Sequence, residues 1–377
     1  MSLTQPAPDD SIDLELGEVY YGGQKALEDQ LANEIIVVTK EFIDRRFRQG
    51  RRPALRDAHA KDNGCVRAIF RVDRDLKNEL RIGVFKNPGQ EYQAWIRFSN
   101  GNSEQKNSRL PHARGMGIKL MGVEGQKLLH DVGDGSEEKY TQDFIMISSP
   151  VFFVDDLVRY KNVLQKFLSG GTVAQYLSAF QLRGREIWLA FKVNLTLLTN
   201  PLFHQYWSMT PYQLGVPPGT RYAVKYTAKP CSPDPSNFLH RLKTFFEPGF
   251  SLKAEMNKTL SATDVSFDFF LQRYVDDDRT PIENTRIVWT ETVSKPEHVA
   301  TIIIPMQNLV CSERATFCEN LSFSPWHGLP EHKPLGVINR VRSLVYPEIS
   351  KYRHALNNAP RIEPTADGHS PACSNTG

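Results

Sequence analysis

Arg342 and Tyr346 are four residues apart in a segment whose apolar residues recur at helical spacing, so both side chains should lie on one helix face. A guanidinium beside a phenol favours the phenolate form, which is an anionic ligand for a ferric ion. Pro347 disfavours α-helical geometry at Tyr346, so we expect the helix to be kinked or to restart there. The alternative is a tyrosine packed at a helix edge, and 13 tyrosines make chance matches common.

His59 is a candidate for proton transfer, because an imidazole can accept a proton from one oxygen atom and return it to another. The simpler alternative is a surface histidine or one that caps a turn. Arg56 follows a basic run at 45–52 that is usually a solvated helix end. Of these arginines, we assign only Arg56 to the binding of a carboxylate-bearing ligand.

The elements that must position these residues follow from the spacing of apolar side chains. Residues 23–48 have the pattern of an amphipathic helix, and further helical patterns occupy 156–169, 173–183 and 334–356. Short alternating segments predict strands at 66–72, 80–85, 92–99, 117–121, 222–226, 265–272, 286–291 and 300–304. The sequence therefore predicts an α+β protein with an antiparallel β-barrel.

Composition excludes several classes of protein. The chain has 377 residues, and its 46 Lys and Arg nearly balance its 43 Asp and Glu, so nucleic acid is not an expected partner. The five cysteines are scattered, which favours free thiols in a reducing compartment. The acidic N-terminus lacks the pattern of a signal peptide, and these features together predict a cytoplasmic protein.

The apolar stretch at 187–203 contains Lys192, Asn194, Asn200 and Pro201, so it is too interrupted to span a bilayer. It is buried, or it forms an apolar surface that transiently contacts a membrane or lines a substrate channel. We divide the chain into an N-terminal arm (1–22), one domain (23–358) and a disordered tail (359–377), whose composition is rich in Asn, Pro, Gly and Ser. Whether the chain forms a homo-oligomer stays open.

The proximal segment resembles the haem catalases. That family has an Arg-x-x-x-Tyr-Pro-Asp motif with a second arginine seven residues after the tyrosine, and Arg342, Tyr346, Pro347, Glu348 and Arg353 stand at those positions. The resemblance implies that Tyr346 is the axial ligand of the iron in haem b. It also implies a barrel with surrounding helices, and a haem between the barrel and a proximal C-terminal helix.

Further segments resemble catalase motifs in the same order from about residue 53 to 353. RDAHA at 56–60 resembles the distal motif, with His59 as the proton shuttle and Arg56 at a haem propionate. WIRFS at 95–99 implies that Arg97 binds a propionate and that Ser99 hydrogen-bonds the histidine. RGMGIK at 114–119 and NLSFSP at 320–325 are also similar to family segments. PVFF at 150–153 implies a pocket lined by Phe152 and Phe153, with Phe152 against the haem.

The chain departs from catalases at the distal wall. Catalases have Asn-Asn-Thr-Pro before this phenylalanine pair, and the first of these asparagines orients hydrogen peroxide. Ile147 stands at that position, and its side chain cannot donate a hydrogen bond. Only a local shift that brings Ser148 to this position would restore a donor. Val151 and Ala58 complete the expected wall; allene oxide synthases have Thr where Ala58 stands.

The segments at 206–215 and 323–340 are most similar to the small catalase-related haemoproteins: peroxidases, allene oxide synthases and fatty-acid hydroperoxide lyases. We therefore expect an enzyme that cleaves the O–O bond of organic hydroperoxides, with fatty-acid hydroperoxides as the leading class. Peroxidase turnover and a lyase or isomerase reaction both stay open. The alternatives are a small hydrogen peroxide catalase or peroxidase and, in another class, a non-catalytic haem-binding or ligand-carrier barrel.

Overall fold

The computed structural model describes residues 14, 16–101, 113–129, 138–152, 154, 156–168 and 198–365. These residues form nine strands: β1 (Lys61–Val72), β2 (Glu91–Asn100), β3 (Arg114–Met121), β4 (Thr141–Ile147), β5 (Tyr206–Trp207), β6 (Tyr212–Leu214), β7 (Tyr222–Pro230), β8 (Val265–Arg273) and β9 (Glu297–Ile304). The strands form one antiparallel sheet in the order β5-β4-β3-β2-β1-β9-β8-β7-β6. Strand β5 also pairs with β7, so eight strands close into a barrel and β6 lies beside it.

The barrel interior is a packed core of aromatic rings. Buried and half-buried residues alternate along β8, as expected when successive side chains point to opposite faces of a sheet. Phe70, Phe144 and Phe269 are fully buried, and their ring centroids lie 5.1–6.0 Å apart. Side chains fill the interior of an eight-stranded barrel of this kind. A large cofactor must therefore bind outside the barrel.

The described residues also form six α-helices around the barrel. They are α1 (Lys25–Arg48), α2 (Leu157–Leu168), α3 (Phe238–Phe246), α4 (Leu252–Leu260), α5 (Ser312–Asn320) and α6 (Val337–Asn357). Helices α1 and α6 pack together, because each has an apolar stripe at helical spacing. Their buried side chains meet Ile147 at the end of β4. Within the described part of the chain, no helix is both long and apolar enough to cross a bilayer.

The predicted α+β barrel is confirmed, but two of the predicted strands are wrong. Residues 80–85 form two 3₁₀ turns instead of a strand. Gly83 has a φ of +56°, and an added Cβ there would lie 2.2 Å from His332 Nε2, so the chain turns against that ring. Residues 286–291 have no regular structure. The predicted helix at 173–183, and most of the apolar stretch at 187–203, lie outside the described residues.

The prediction of free thiols is also wrong. Cys65 in β1 and Cys318 in α5 form a disulfide across 253 positions of the sequence. Cys311 is disulfide-bonded too, whereas Cys231 is a free, exposed thiol. Sequence spacing cannot detect such a pairing, because only the fold brings β1 and α5 together. The cysteines therefore no longer indicate a reducing compartment.

Candidate active site

His59 has an unusual backbone conformation that other residues hold in place. Its φ is +57°, in the left-handed region that side chains other than glycine seldom occupy. Arg97 donates from Nη2 to the His59 carbonyl oxygen at 3.0 Å, and Ser99 Oγ lies 3.0 Å from His59 Nδ1. Strain of this kind clusters at functional sites, where the surrounding structure maintains it. The hydrogen bond that the resemblance predicts between Ser99 and His59 is thus present.

Gly115 provides the space for this arrangement. It pairs with Ser99 across β2 and β3. A Cβ atom at Gly115 would lie 2.5 Å from Ser99 Oγ and 2.6 Å from His59 Nδ1, closer than real Cβ contacts. Gly115 lies in the catalase-like segment at 114–119, but no role for it was predicted from the sequence. The feature that identifies the role of Gly115 is its pairing with Ser99, and only the folded sheet defines that pairing.

The environment of His59 favours its neutral form. Burial lowers the pKa of the imidazole to about 3, and the charges of Arg97, Arg342, Arg56 and Arg114 lower it in the same direction. At neutral pH the ring therefore carries one proton. Proton transfer to Nε2 requires that proton to lie on Nδ1 and be donated to Ser99 Oγ. His59 can then act as a base.

Three arginines converge on Glu319 at the end of α5. Its carboxylate lies 2.9 Å from Arg56 Nη1, 3.6 Å from Arg97 Nη2 and 3.0 Å from Arg353 Nη1. Arg353 also donates to the Glu319 carbonyl oxygen at 2.9 Å. Glu319 was not predicted from the sequence, although it directly precedes the catalase-like segment at 320–325. The resemblance implied that Arg56 and Arg97 bind haem propionates and that Arg353 belongs to the cofactor-binding residues, and the three guanidinium groups lie together.

This arginine cluster has more positive charge than Glu319 can neutralise. Burial lowers the pKa of Arg97 to about 10 and that of Arg353 to about 9, and the charge of Arg56 contributes to both shifts. Arg97 Nε is buried and has no hydrogen-bond partner among the described residues. Asp57 is a further carboxyl group in the same field, but burial raises its pKa and so disfavours its charge. The cluster therefore fits additional carboxylates, such as the two propionates of haem b.

Arg342 and Tyr346 lie on α6 as the spacing predicted. The Arg342 guanidinium is 5.8 Å from the centre of the Tyr346 ring and 5.3 Å from that of Phe152. It also donates to Asn339 Oδ1 at 3.2 Å. The helix does not restart near Tyr346, because α6 continues through Pro347, and a kink there stays a prediction. Tyr346 is half-buried, which leaves part of its ring accessible for a ligand.

The expected distal wall is apolar where the structure describes it. Ile147 is 8% exposed and belongs to a cluster with Phe152 and Val341 of α6. Ser148 Oγ accepts a hydrogen bond from the Arg114 backbone N–H at 2.8 Å, which fixes the position of this oxygen and leaves its O–H proton as a donor. Further candidates are half-buried Val151 and exposed Ala58; Phe153 lies outside the described residues.

The distal and proximal residues meet between the barrel and α6. Gly115, which adjoins the His59 ring, pairs with Ile147 across β3 and β4. Ile147 in turn packs in the cluster that contains Val341 and Val345, on either side of Arg342 in α6. Arg342 is close enough to His59 to lower the pKa of its ring. The structure thus brings together residues from 56 to 353 that the sequence separates.

A second buried ionic cluster lies at the other end of β3. Lys119 Nζ lies 2.8 Å from Asp143 Oδ1 and also donates to Glu138. His327 Nδ1 contacts the same two carboxylates, at 3.0 Å from Asp143 Oδ2 and 3.2 Å from Glu138 Oε2. Glu138, Asp143 and His327 could in principle hold a metal ion. The Lys119 ammonium already pairs with both carboxylates, and its pKa is raised by their charges in spite of burial. This cluster serves to anchor β3, not to form the candidate site.

No protein-family model matches the chain, and no curated protein is similar enough to count as a relative. Solved structures do match. A fungal catalase has 16% identity and a TM-score of 0.64, with 91% of this chain and 66% of that chain covered. Catalase A from Saccharomyces cerevisiae has 16% identity and a TM-score of 0.63, with 87% and 69% covered. A bacterial catalase has 14% identity and a TM-score of 0.61, with 98% and 69% covered.

The chain thus spans about two thirds of the length of these catalases. At such low identity the match establishes architecture and leaves the reaction to the chemistry of the site. The matched architecture is a closed eight-stranded antiparallel barrel with surrounding helices. The protein has the catalase fold.

Proposed function

We propose that this protein binds haem b and cleaves the O–O bond of organic hydroperoxides, with fatty-acid hydroperoxides as the leading substrate class. The observation that carries the proposal is the placement of His59. Arg97 and Ser99 hold this residue in a left-handed conformation, and Gly115 leaves room for its ring. A carrier that only stores haem needs no oriented proton acceptor, so this placement favours an enzyme.

Residues on both sides of the site suit the proposed cofactor. Tyr346 would bind the iron, with the Arg342 guanidinium close to its ring favouring the phenolate. Arg56, Arg97 and Arg353 would bind the propionates, and Phe152 would contact the ring system. When bound, ferric haem with a tyrosinate ligand supplies the metal centre for peroxide bond cleavage.

His59 would perform the proton transfers. Its neutral Nε2 accepts the proton of the hydroperoxide O–H, while Nδ1–H remains bonded to Ser99 Oγ. The same proton then passes to the departing oxygen, which leaves as an alcohol or water rather than as an anion. Acid–base help of this kind contributes about 10²–10⁴-fold to a rate. Ser99 acts by orienting the imidazole.

The apolar wall supports an organic substrate. Ile147 offers no hydrogen-bond donor, and the Ser148 hydroxyl accepts a bond from Arg114. A small peroxide would be oriented by His59 without the amide that the resemblance expects at the position of Ile147. A long-chain hydroperoxide gains about 0.8 kcal/mol for each methylene removed from water, so burial of its tail positions its reactive end. This polarity agrees with the sequence resemblance to the small catalase-related haemoproteins.

Product analysis tests the proposal. The haem-loaded protein is mixed with hydrogen peroxide and, separately, with a fatty-acid hydroperoxide, and oxygen, alcohol, aldehyde and epoxide products are measured. We expect faster turnover of the fatty-acid hydroperoxide. Rapid oxygen release as the dominant reaction would instead identify a small catalase. Haem binding without turnover of either peroxide would favour the carrier.

A further inference from the structure

Helix α3 exposes its apolar residues and buries a polar one. Phe238, Leu239 and Phe246 are 61%, 74% and 66% exposed, whereas the buried residue of the helix is Thr244. Apolar side chains of a surface helix usually face the core. Scattered exposed apolar residues need no explanation, but three large ones on a nine-residue helix form a patch.

Local contacts define the start and the end of α3. The Asn237 side chain caps its first turn by accepting from the His240 N–H at 2.8 Å. Phe245 is half-buried, and its ring packs 5.6 Å from that of Phe250, just past the end of the helix. The buried Thr244 marks the side of α3 that faces the protein. Phe238, Leu239 and Phe246 are exposed and are therefore available to a partner.

The charge of α3 identifies the kind of partner. The helix contains Arg241 and Lys243 and no acidic residue. Neither cation forms an ion pair with another described residue. Lys243 is exposed and lies on the same side as Leu239 and Phe246, since residues three and four positions apart are neighbours on a helix. Large apolar residues beside unpaired cations are typical of helices that lie in the interface of an anionic membrane.

We propose that α3 is a membrane-docking helix, which inserts Phe238, Leu239 and Phe246 among the acyl chains of an anionic bilayer and places Lys243 among the headgroups. The occupant is a lipid surface rather than a protein, because the positive charge of α3 complements anionic headgroups. This surface is distinct from the site around His59, so the inference does not depend on the proposed reaction. It would nevertheless bring the protein to the phase in which lipid hydroperoxides reside.

Vesicle co-sedimentation of the full chain tests the inference. The probes are vesicles of phosphatidylcholine alone and of phosphatidylcholine mixed with phosphatidylserine. We expect binding to the mixed vesicles that weakens as salt is added. The double variant L239S/F246S should lower the partition coefficient roughly tenfold or more, because two large side chains no longer leave water. K243Q should lower it about fivefold, as expected for one basic residue at an anionic surface.

Val310→Ser is the matched control, because Val310 is 72% exposed but lies outside α3. This variant should bind as the unmodified protein does. Circular dichroism and size-exclusion chromatography of each variant verify folding and oligomeric state. Equal vesicle binding by L239S/F246S and V310S would overturn the inference, and so would no binding by the unmodified protein. A dimer that L239S/F246S dissociates, without vesicle binding, would show that the patch joins two copies instead.

Discussion

Ser99 Oγ lies 3.0 Å from Nδ1 of His59, and both atoms border the position that a Cβ of Gly115 would occupy. Two adjacent strands therefore control one imidazole. Strand β2 supplies the hydrogen-bonding hydroxyl, and β3 supplies the gap into which the ring fits. The bond selects the orientation of the ring, and the gap prevents its displacement.

Gly115→Ala should displace His59 without removing any polar group. The new methyl carbon would lie 2.5 Å from Ser99 Oγ, so either the serine or the imidazole must move. We expect haem occupancy close to normal and a fall in hydroperoxide turnover of roughly 10²-fold, similar to the loss of an acid–base group. Gly117→Ala in the same strand is the control, since its Cβ would meet only the Phe323 ring, at 3.2 Å. Equal activity of the two variants would contradict the role of Gly115.

The lowered pKa of His59 should affect both activity and stability. With a folded-state pKa of about 3, the ring stays neutral from pH 8 to pH 5, so turnover should not fall near 6.5 as it would for an ordinary histidine. Below pH 6.5 the unfolded chain takes up a proton that the folded chain does not, so stability is lost as the pH falls. Between pH 7 and pH 5, the Tm of the haem-free His59→Ala variant should therefore fall less than the Tm of the haem-free unmodified protein. His240→Ala, which removes an exposed histidine, should leave that fall unchanged.

Tyr346→Phe should lose most of the haem and the charge-transfer absorption expected of a tyrosinate ligand. The variant keeps the ring and the packing of α6, so the loss would report on the phenol oxygen. Tyr352→Phe is the control on the same helix, because the Tyr352 hydroxyl donates to Asp44 on α1. Retention of full haem occupancy with an unchanged spectrum in Tyr346→Phe would remove this residue as the ligand. Titration of the haem-free protein with haem gives both readouts.

Glu319→Gln should destabilise the haem-free protein more than the haem-loaded one. It removes a carboxylate that lies within 4 Å of three buried or nearly buried arginines, and loss of a buried partner costs about 3–5 kcal/mol. Two propionates would restore negative charge at the cluster, so haem should raise the Tm of the variant more than that of the unmodified protein. Glu348→Gln, at an exposed pair with Lys40, is the control. An equal gain in Tm on haem loading in all three proteins would show that the arginines do not bind the propionates.

Ile147→Asn should raise oxygen release from hydrogen peroxide, because it adds a donor that can orient a small peroxide. The rate with a fatty-acid hydroperoxide should be unchanged or lower, since the two substrates need opposite polarity at this wall. Ile145→Asn, two residues earlier in β4 and half-buried, should not produce this exchange of substrates. Oxygen electrode and product measurements on each variant provide the comparison. A parallel loss of both rates in Ile147→Asn alone would indicate that Ile147 serves only in packing.

Most of the regular structure was predictable from periodicity. Strands β1, β2, β3, β7, β8 and β9 and helices α1, α2 and α6 lie where alternating or helical patterns predicted them, within a few residues. In each case burial of one face leaves a repeating signal in the sequence. The patterns did not predict β4, β5, β6, α3, α4 or α5, and the strands that they predicted at 80–85 and 286–291 are wrong. Residues 80–85 show the reason. Leu80, Val84 and Phe85 are buried in the barrel core, but they reach it from 3₁₀ turns, so their apolar pattern resembled a strand.

The sequence by itself determined the catalase-like order of motifs, the helical spacing of Arg342 and Tyr346, and the presence of Ile147 where the resemblance to catalases leads one to expect an asparagine. These features depend on residues that are neighbours along the chain. Only the tertiary structure decided that Glu319 lies among Arg56, Arg97 and Arg353, that Gly115 faces His59, and that Cys65 bonds to Cys318 across 253 positions. Such contacts arise when strand register and helix packing bring distant segments together, and no local pattern specifies which distant residues will meet.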